Sequence, residues 1–216
     1  MPEPVLPQPE ARVVLATRNL GKLRELRELL RGQVPGLDVD TQVVDAAFAG
    51  AAEVAETGTT FEANARLKAE QTALSTGLLA VADDSGLSVD VLGGAPGIFS
   101  ARWAGGHGDD AANLQLLLAQ LADIPASGRG AAFVCAAALA RADGTVVAVE
   151  RAELRGALLG APRGEGGFGY DPILVPAGMD RSCAELSAAE KNAISHRGQA
   201  LRALLPALVR ELRGYP

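Results

Sequence analysis

The chain has 216 residues, of which 48% are hydrophobic, and it carries a formal net charge of −6. This length and apolar content allow a full core in one domain or in two closely joined lobes. The acidic balance argues against a protein that coats nucleic acid, because such proteins present a basic surface to the phosphate backbone. Any anion that binds here must therefore meet a local cationic pocket, which suits a small ligand.

Residues 1–10 are rich in proline and lack the basic and apolar regions of a signal peptide. We expect them to form a loose tail in front of a single α/β domain with two lobes over residues 11–216. No apolar stretch is long enough to span a bilayer, so we expect a soluble, cytoplasmic protein without a membrane partner. Cys135 and Cys183 are expected to be reduced thiols, although a disulfide between them stays open.

The first half of the chain alternates short apolar runs with helical patterns. Residues 12–16 predict a buried strand, and leucines at helical spacing predict a helix that begins near Lys22, behind a polar turn. Residues 37–44 predict a second strand. Thr59 and Glu62 form the pattern of a capping box that opens a helix through about residue 75. Residues 78–82 predict a short strand that ends in a polar turn at residues 83–86.

The second half continues the alternation. Residues 87–92 are an apolar run before a glycine-rich turn at residues 93–97, and residues 111–121 predict a helix. Residues 131–140 and 146–154 predict a hairpin, because Asp143-Gly144 between them is typical of a tight turn. A strand is predicted at residues 173–175, a capping box at Ser187 and Glu190, and a final amphipathic helix over residues 197–212. The fold class is α/β with a mixed sheet.

The lysines are the first functional signal. Only three of the 20 basic residues are lysine, namely Lys22, Lys68 and Lys191. Arginine presents a broad planar fork, whereas the ammonium of lysine is a point charge that fits between phosphate oxygens. The surviving lysines are either accidents of composition or the cations of a polyanion site. We favour a site for a triphosphate, since each lysine also lies within four residues of an asparagine.

Asp83 and Asp84 are the best candidates for a reaction centre, because they follow a predicted buried strand and α/β sheets place their sites at strand ends. One carboxylate can hold Mg²⁺ while it or its neighbour deprotonates a water molecule. Adjacent residues of an extended chain point to opposite faces, so the two carboxylates are not equivalent. A plain turn is the alternative. Glu56 could supply a second metal carboxylate, or it is a solvated loop charge.

The glycine-rich loop at residues 164–172 holds Phe168 and Tyr170. A loop aromatic between glycines can stack on a nucleobase, while Asp171 accepts from ring N–H groups. His196 and Arg197, at the start of the last helix, can donate to keto oxygens or phosphates. His107 is interpreted as a surface loop residue without a role.

Six segments, in this order, resemble the motifs of the non-canonical purine nucleoside triphosphate pyrophosphatases, the inosine/xanthosine triphosphate pyrophosphatase family. The resemblance covers residues 13–205. The segments are ATRNLGK at 16–22, TFEANARLKA at 60–69, ADDSGL at 82–87, PGIFSAR at 96–102, GFGYDP at 167–172 and SHRG at 195–198.

The resemblance implies a long, twisted mixed sheet flanked by helices, with two lobes around a cleft, and a homodimer. It also implies Mg²⁺-dependent hydrolysis of ITP, dITP and XTP to the monophosphate and pyrophosphate, which cleanses the nucleotide pool. Asp84 would be the metal-bound general base and Glu56 the second metal ligand. Substrate binding would fall to Thr17, Arg18, Asn19, Leu20, Gly21, Lys22, Lys68, Ser85, Phe168, Gly169, Tyr170, Asp171, Lys191, His196 and Arg197.

The chain departs from the family pattern at three positions. Arg18 stands where glycine is common, Ala63 stands where glutamate is usual, and Trp103 stands where tyrosine is common. Two other functions remain as rivals: a pyrophosphatase of another specificity, such as one for modified pyrimidine triphosphates, and a sensor that binds a nucleotide without turnover.

Overall fold

The computed structural model describes residues 11–214, so the predicted tail at residues 1–10 lies outside the described part. The strands are β1 (Val13–Leu15), β2 (Val43–Asp45), β3 (Leu79–Val89), β4 (Gly130–Ala140), β5 (Val146–Leu158) and β6 (Leu174–Pro176). The α-helices are α1 (Leu20–Leu30), α2 (Val39–Gln42), α3 (Phe61–Thr76), α4 (Asp110–Gln120), α5 (Ala188–Ile194) and α6 (His196–Gly214). Short 3₁₀ helices lie at Asp90–Leu92, Gly97–Arg102, Ala126–Gly128 and Cys183–Glu185.

The six strands form one sheet in the order β2-β1-β3-β4-β5-β6. β1 pairs in parallel with both β2 and β3, whereas β3, β4, β5 and β6 pair with one another in antiparallel fashion. Helices flank this sheet, so the prediction of an α/β fold with a mixed sheet is confirmed. The predicted hairpin is β4 and β5, which are joined through Asp143 and Gly144.

Both faces of the sheet are covered by helices. On one face, the leucines of α1 and α6 pack on β1, β3 and β4, and Leu26, Leu30 and Leu204 are fully buried. On the other face, α3 packs through alanines such as Ala65 and Ala69. Close packing on both faces is possible because β4 consists largely of alanine, whose small side chain lets helices approach. A third cluster, which includes α4, closes the far end of the sheet.

Two element boundaries predicted from the sequence are wrong. Residues 37–44 do not form one strand, because the Asp38 side chain accepts the Asp40 N–H and caps the helical turn α2. Only residues from Val43 onward enter the sheet. The capping residue of α3 is Thr60, which accepts the Ala63 N–H, and the predicted Thr59–Glu62 box does not form. Glu62 instead pairs with Arg151 at 3.1 Å.

The prediction for the strand context of Asp83 and Asp84 is also wrong. Asp83 and Asp84 do not end a strand at a turn, because β3 continues through them and pairs with Ala137 and Ala136 of β4. The neighbouring strand β1 is the one that stops, since its last pair is Leu15 with Val81. The two aspartates therefore lie just beyond the carboxyl end of a parallel strand, where the sheet opens on one side.

The described residues 11–214 contain no helix that is long and apolar enough to cross a membrane. Cys135 and Cys183 are both buried and free of a disulfide. Burial raises the pKa of the Cys183 thiol to about 11, so this thiol is protonated at neutral pH.

Candidate active site

A cavity of about 310 Å³, the first cavity, lies where β1 stops. Its charged lining residues are Arg18, Lys22, Glu53, Glu56, Lys68 and Asp83. Lys22 belongs to α1 on one face of the sheet, and Lys68 belongs to α3 on the other. The two lysines reach one cavity because the early end of β1 leaves a gap between the faces. The sequence separation of 46 residues hides this proximity.

The turn before α1 supports Lys22 through its own hydrogen bonds. The Asn19 side chain accepts the N–H groups of Gly21 and Lys22 at 2.8 and 3.3 Å, which caps the helix. The resemblance implies substrate contacts for all six residues from 17 to 22. Only Thr17, Arg18 and Lys22 line this cavity, whereas Asn19, Leu20 and Gly21 do not. Leu20 is 63% exposed and faces a separate shallow groove.

Asp84 is the centre of a buried network on the α3 face. Asn64 donates to its Oδ2 at 3.0 Å, and Lys68 Nζ lies 3.3 Å from its Oδ1. As their spacing predicts, Asn64 and Lys68 share one face of α3. Asn64 also accepts the N–H of Gly58, where a Cβ would lie 2.7 Å from the Asn64 oxygen, so the loop is anchored closely to the helix.

Burial raises the pKa of Asp84, and Lys68 and Asn64 offset this only in part. Lys68 is also partly buried, yet the carboxylates of Asp84 and Glu56 outweigh that burial and raise its pKa. Asp84 is therefore a carboxylate of increased basicity beside a permanent cation. A group of this kind suits proton abstraction.

Glu56 and Asp84 fit a divalent cation. The ammonium of Lys68 lies 2.7 Å from Glu56 and 3.3 Å from Asp84, so a positive charge already occupies the space between the two carboxylates. Among the described residues, no group of three or more metal-binding side chains exists. Two carboxylates are nevertheless sufficient for Mg²⁺, which commonly takes one or two protein carboxylates and completes its shell with phosphates and water.

Asp83 points to the opposite face of β3 from Asp84, as strand geometry requires. Lys22 Nζ lies 3.0 and 2.8 Å from its two oxygens, and Arg197 Nε lies 3.3 Å from Oδ2. Burial opposes the charge of Asp83, but these two cations hold its pKa well below the usual range. Asp83 is therefore ionised throughout the physiological range.

A second cavity, of about 210 Å³, adjoins the first at the Asp83–Arg197 contact. Its wall combines apolar and aromatic groups with several donors, and sequence motifs far apart in the chain meet in it. The lining residues include Ser85, Gly86, Leu87, Phe133, Phe168, Gly169, Tyr170, Asp171, Lys191, His196 and Arg197.

The Phe168 loop is tied to α5 by Asp171. This buried carboxylate accepts the Phe168 N–H at 2.8 Å and pairs with Lys191, whose Nζ lies 4.9 Å from the centre of the Phe168 ring. Gly167 has φ +75, and a Cβ there would lie 2.1 Å from Asp171. Phe168 itself is 65% exposed, so its ring is available at the mouth of the cavity.

Tyr170 differs from the sequence interpretation. Its side chain is buried in the core, and its hydroxyl donates to the Ser100 carbonyl at 3.0 Å. Tyr170 therefore belongs to the core and forms part of the cavity wall, rather than an exposed stacking surface. Phe168 is the only one of the two with an exposed ring.

His196 stacks on Phe133, with ring centroids 5.2 Å apart and planes at 23°. Burial, together with the cations of Arg197 and Lys191, lowers the pKa of His196 to about 3. Its imidazole is therefore neutral at pH 7, and its buried Nδ1 is without a hydrogen-bond partner in the described residues. A neutral ring with a free nitrogen suits a flat, polar ligand.

The lowered pKa of His196 predicts a pH dependence of stability. An unfolded chain takes up this proton near pH 6.5, whereas the folded protein refuses it until about pH 3. Stability from this group is therefore present above pH 6.5 and lost as the pH falls. We expect wild type to lose up to about 1.4 kcal/mol per pH unit more than His196→Gln in this window.

Urea unfolding at pH 6.5, 5.5 and 4.5 measures this difference. His107→Gln removes the other histidine, which lies in an exposed loop, and should retain the wild-type slope. Equal slopes for wild type and His196→Gln would contradict the assignment of a buried, neutral imidazole.

Several residues of the site were missed by sequence reasoning. Asn64, which donates to Asp84, and Asp83, which pairs with Lys22 and Arg197, are not among the site residues that the resemblance implies. Glu25 faces the second cavity from α1, where burial raises its pKa, and nothing in its sequence neighbourhood marks it. Phe133 lies within an apolar strand pattern that is typical of core. In the sequence, each of these residues looks like an ordinary core or surface residue, so no local pattern indicates its place in the site.

The chain thus has a mixed α/β fold in which a cavity with three cations adjoins a cavity with an aromatic wall. Comparison with known proteins gives the family. A model of the Ham1 family matches residues 13–207. The chain belongs to the Ham1 family.

The relatives and solved structures agree with this assignment. The dITP/XTP pyrophosphatase of Streptomyces coelicolor is 63% identical over 203 residues, which cover 94% of this chain and 99% of the relative. That of Mycobacterium tuberculosis is 54% identical, with coverage of 91% and 95%. A HAM1 protein structure from Coxiella burnetii has a TM-score of 0.83 at 40% identity and covers 93% and 99% of the two chains. The dITP/XTP pyrophosphatase structure from Mycobacterium abscessus has a TM-score of 0.75 at 50% identity, with coverage of 90% and 99%.

Proposed function

We propose that the chain hydrolyses dITP, ITP and XTP to the nucleoside monophosphate and pyrophosphate, with Mg²⁺ as cofactor. The observation that carries the proposal is that Lys22, Lys68 and Asp83 line one cavity at the gap in the sheet, beside a cavity with aromatic walls. Asp84 joins this group through its contact with Lys68. The relatives named dITP/XTP pyrophosphatase support the same reaction.

The phosphate end of the substrate would lie in the first cavity. Lys22 and Lys68 approach it from opposite faces of the sheet, so their charges can contact different phosphate groups. Thr17 and Arg18 add donors at the rim.

Glu56 and Asp84 would hold the Mg²⁺. When bound, the metal would neutralise phosphate charge and favour ionisation of water at the reacting phosphorus. Lys68, which now bridges the two carboxylates, would then be free to turn toward the phosphates. The chain itself thus supplies two carboxylates and one mobile cation to the same small volume.

Asp84 would take the proton of the attacking water. Asn64 fixes Oδ2 of this carboxylate by its hydrogen bond, which leaves the orientation of the group settled before the substrate arrives. As the water oxygen bonds to phosphorus, the bond between the α and β phosphates breaks. Lys22 and Lys68 would counter the charge that collects on the leaving pyrophosphate.

The second cavity would hold the base and sugar. Phe168 would cover the base, Phe133 and His196 would form the opposite wall, and Ser85 would contact the substrate near the junction. Arg197 and Lys191 present donors, while Asp171 is already engaged with Lys191 and the Phe168 N–H.

The test is the release of pyrophosphate from dITP, ITP and XTP by the purified chain, with Mg²⁺ present and with the metal removed by a chelator. Stoichiometric monophosphate and pyrophosphate would support the proposal. Release of orthophosphate instead would point to cleavage of the terminal bond. Binding of dITP without any turnover would favour a nucleotide sensor.

A further prediction concerns the two lysines. Because the guanidinium fork cannot replace a point charge between phosphates, Lys22→Arg and Lys68→Arg should each lower kcat/KM by more than about tenfold. Steady-state pyrophosphate release measures this. Arg66, which is exposed on α3, gives the matched control, since Arg66→Lys should leave the kinetics unchanged. Lysine variants with wild-type kinetics would show that lysine at these positions is accidental.

A further inference from the structure

Asp83 connects the two cavities. Its side chain is 3% exposed and faces α1 and α6, where it contacts Lys22 of the first cavity and Arg197 of the second cavity. Both of its oxygens are used, since Lys22 contacts Oδ1 and Oδ2 and Arg197 contacts Oδ2. One carboxylate therefore holds the cations of two neighbouring binding regions.

Neither cation has another ion-pair partner among residues 11–214. The side chains of Lys22 and Arg197 are only 21% and 17% exposed, so water compensates little for the loss of a partner. Without Asp83, two like charges in a poorly solvated space would repel each other and move apart. Glu25 interacts electrostatically with both cations but lies outside ion-pair distance of each, so Asp83 is the carboxylate that directly contacts both.

The position of this carboxylate is itself well determined. Asp83 lies within β3 and pairs with Ala137 of β4, and both Ala137 and the preceding residue Ala82 are fully buried. A central strand between two packed layers moves less than a loop. Lys22 and Arg197 therefore both contact a residue that is held rigidly in the sheet, although they come from helices at opposite ends of the chain.

We propose that Asp83 is a positioning residue that fixes Lys22 and Arg197 relative to each other, and so sets the spacing between the phosphate end and the base end of the substrate. This inference rests on the proposed function of the same site. Asp83 touches no reacting atom in this role. It acts through the two cations, and its charge also opposes binding of a polyanion before the reaction begins.

Two effects of opposite direction follow for Asp83→Asn. Turnover should fall, because displacement of a binding group by about 1 Å can cost about 10²-fold in rate. Affinity for inorganic pyrophosphate should rise by at least about threefold, because a negative charge beside the anion is removed and Lys22 loses its competing partner. A general loss of folded structure would lower turnover without any gain in affinity.

Asp83→Glu separates charge from position. It keeps the carboxylate but extends it by one methylene, so affinity for pyrophosphate should stay within about twofold of wild type. Turnover should fall about tenfold, between wild type and Asp83→Asn, because the two cations shift with the group. This variant also provides the test if the amide variant fails to fold.

The experiment measures kcat and KM for dITP by pyrophosphate release, and binding of inorganic pyrophosphate by calorimetry, on the same preparations. Glu211→Gln is the matched control. Glu211 is an equally ion-paired carboxylate with a largely buried side chain, but it lies at the far end of α6 and pairs with Arg141. It should leave both measurements unchanged.

Reduced kcat with tighter pyrophosphate binding in Asp83→Asn, and the intermediate kcat of Asp83→Glu, would support the role. Wild-type turnover in either variant, or weaker pyrophosphate binding by folded Asp83→Asn, would overturn it. Failure of the proposed function is distinguishable, because the wild-type enzyme would then release no pyrophosphate. The calorimetric comparison would still report whether Asp83 restrains Lys22.

Discussion

Replacing Asp84 by asparagine should abolish pyrophosphate release while the protein stays folded. The change is nearly isosteric, but it removes both the basicity and a metal-binding charge. Loss of the general base alone costs about 10² to 10⁴ in rate, and loss of the metal ligand should bring the decrease above about 10⁴. Initial rates with dITP at saturating Mg²⁺ give the measurement.

The fold should survive because the folded protein gains little from this charge. Burial raises the pKa of Asp84, which means that the folded environment disfavours the ionised form. Lys68 keeps Glu56 as a partner in the variant. Asp123→Asn, at an exposed position after α4, is the matched control and should retain full activity. Undiminished pyrophosphate release by Asp84→Asn would exclude Asp84 as the base.

Discrimination between ITP and ATP is the second large effect that we expect. Arg197 and Lys191 line the second cavity as donors, and the carboxylate of Asp171 is already occupied by Lys191 and a backbone N–H. A keto oxygen at C6 of a purine bound in this cavity would face these donors, whereas the amino group of adenine would place a donor against them. Such a mismatch leaves buried groups unpaired and can reject a substrate by about 10⁴.

The expected order of kcat/KM places ITP, dITP and XTP well above GTP, with ATP and the pyrimidine triphosphates lowest. GTP keeps the keto group but adds an amino group at C2, so another part of the cavity must exclude it. Assays of pyrophosphate release with all substrates at matched Mg²⁺ decide the order. ATP cleaved as fast as ITP would refute the base assignment and leave the phosphate chemistry intact.

Local signals in the sequence were sufficient where short-range contacts decide the structure. The turn before α1, the capping box at Ser187 and Glu190, and the Asp143-Gly144 hairpin all depend on residues within a few positions of one another. The face shared by Asn64 and Lys68 follows from helix geometry alone. For such features, the residues that form the sequence pattern are also the residues that make the stabilising contacts.

The remaining features depend on partners that a local pattern does not reveal. The polar run at residues 83–86 resembles a turn, but pairing with β4, about fifty residues later, holds it in a strand. Tyr170 is drawn into the core by Ser100, 70 positions away. The contact of Asp83 with Arg197 spans 114 positions. Tertiary contacts of this kind override local preference.

The uninterrupted course of β3 also sets a scale for the whole site. Asp83 lines the first cavity, while Gly86 and Leu87 line the second, and successive residues of a strand are about 3.3 Å apart. Inserting one residue before Asp83 would turn every following side chain of β3 to the other face of the sheet. Asp83 would then face α3, and Asp84 would face α1 and α6. The number of residues in β3 therefore sets the distances between the side chains of the site. Substitutions along it leave the spacing in place, whereas any change in its length does not.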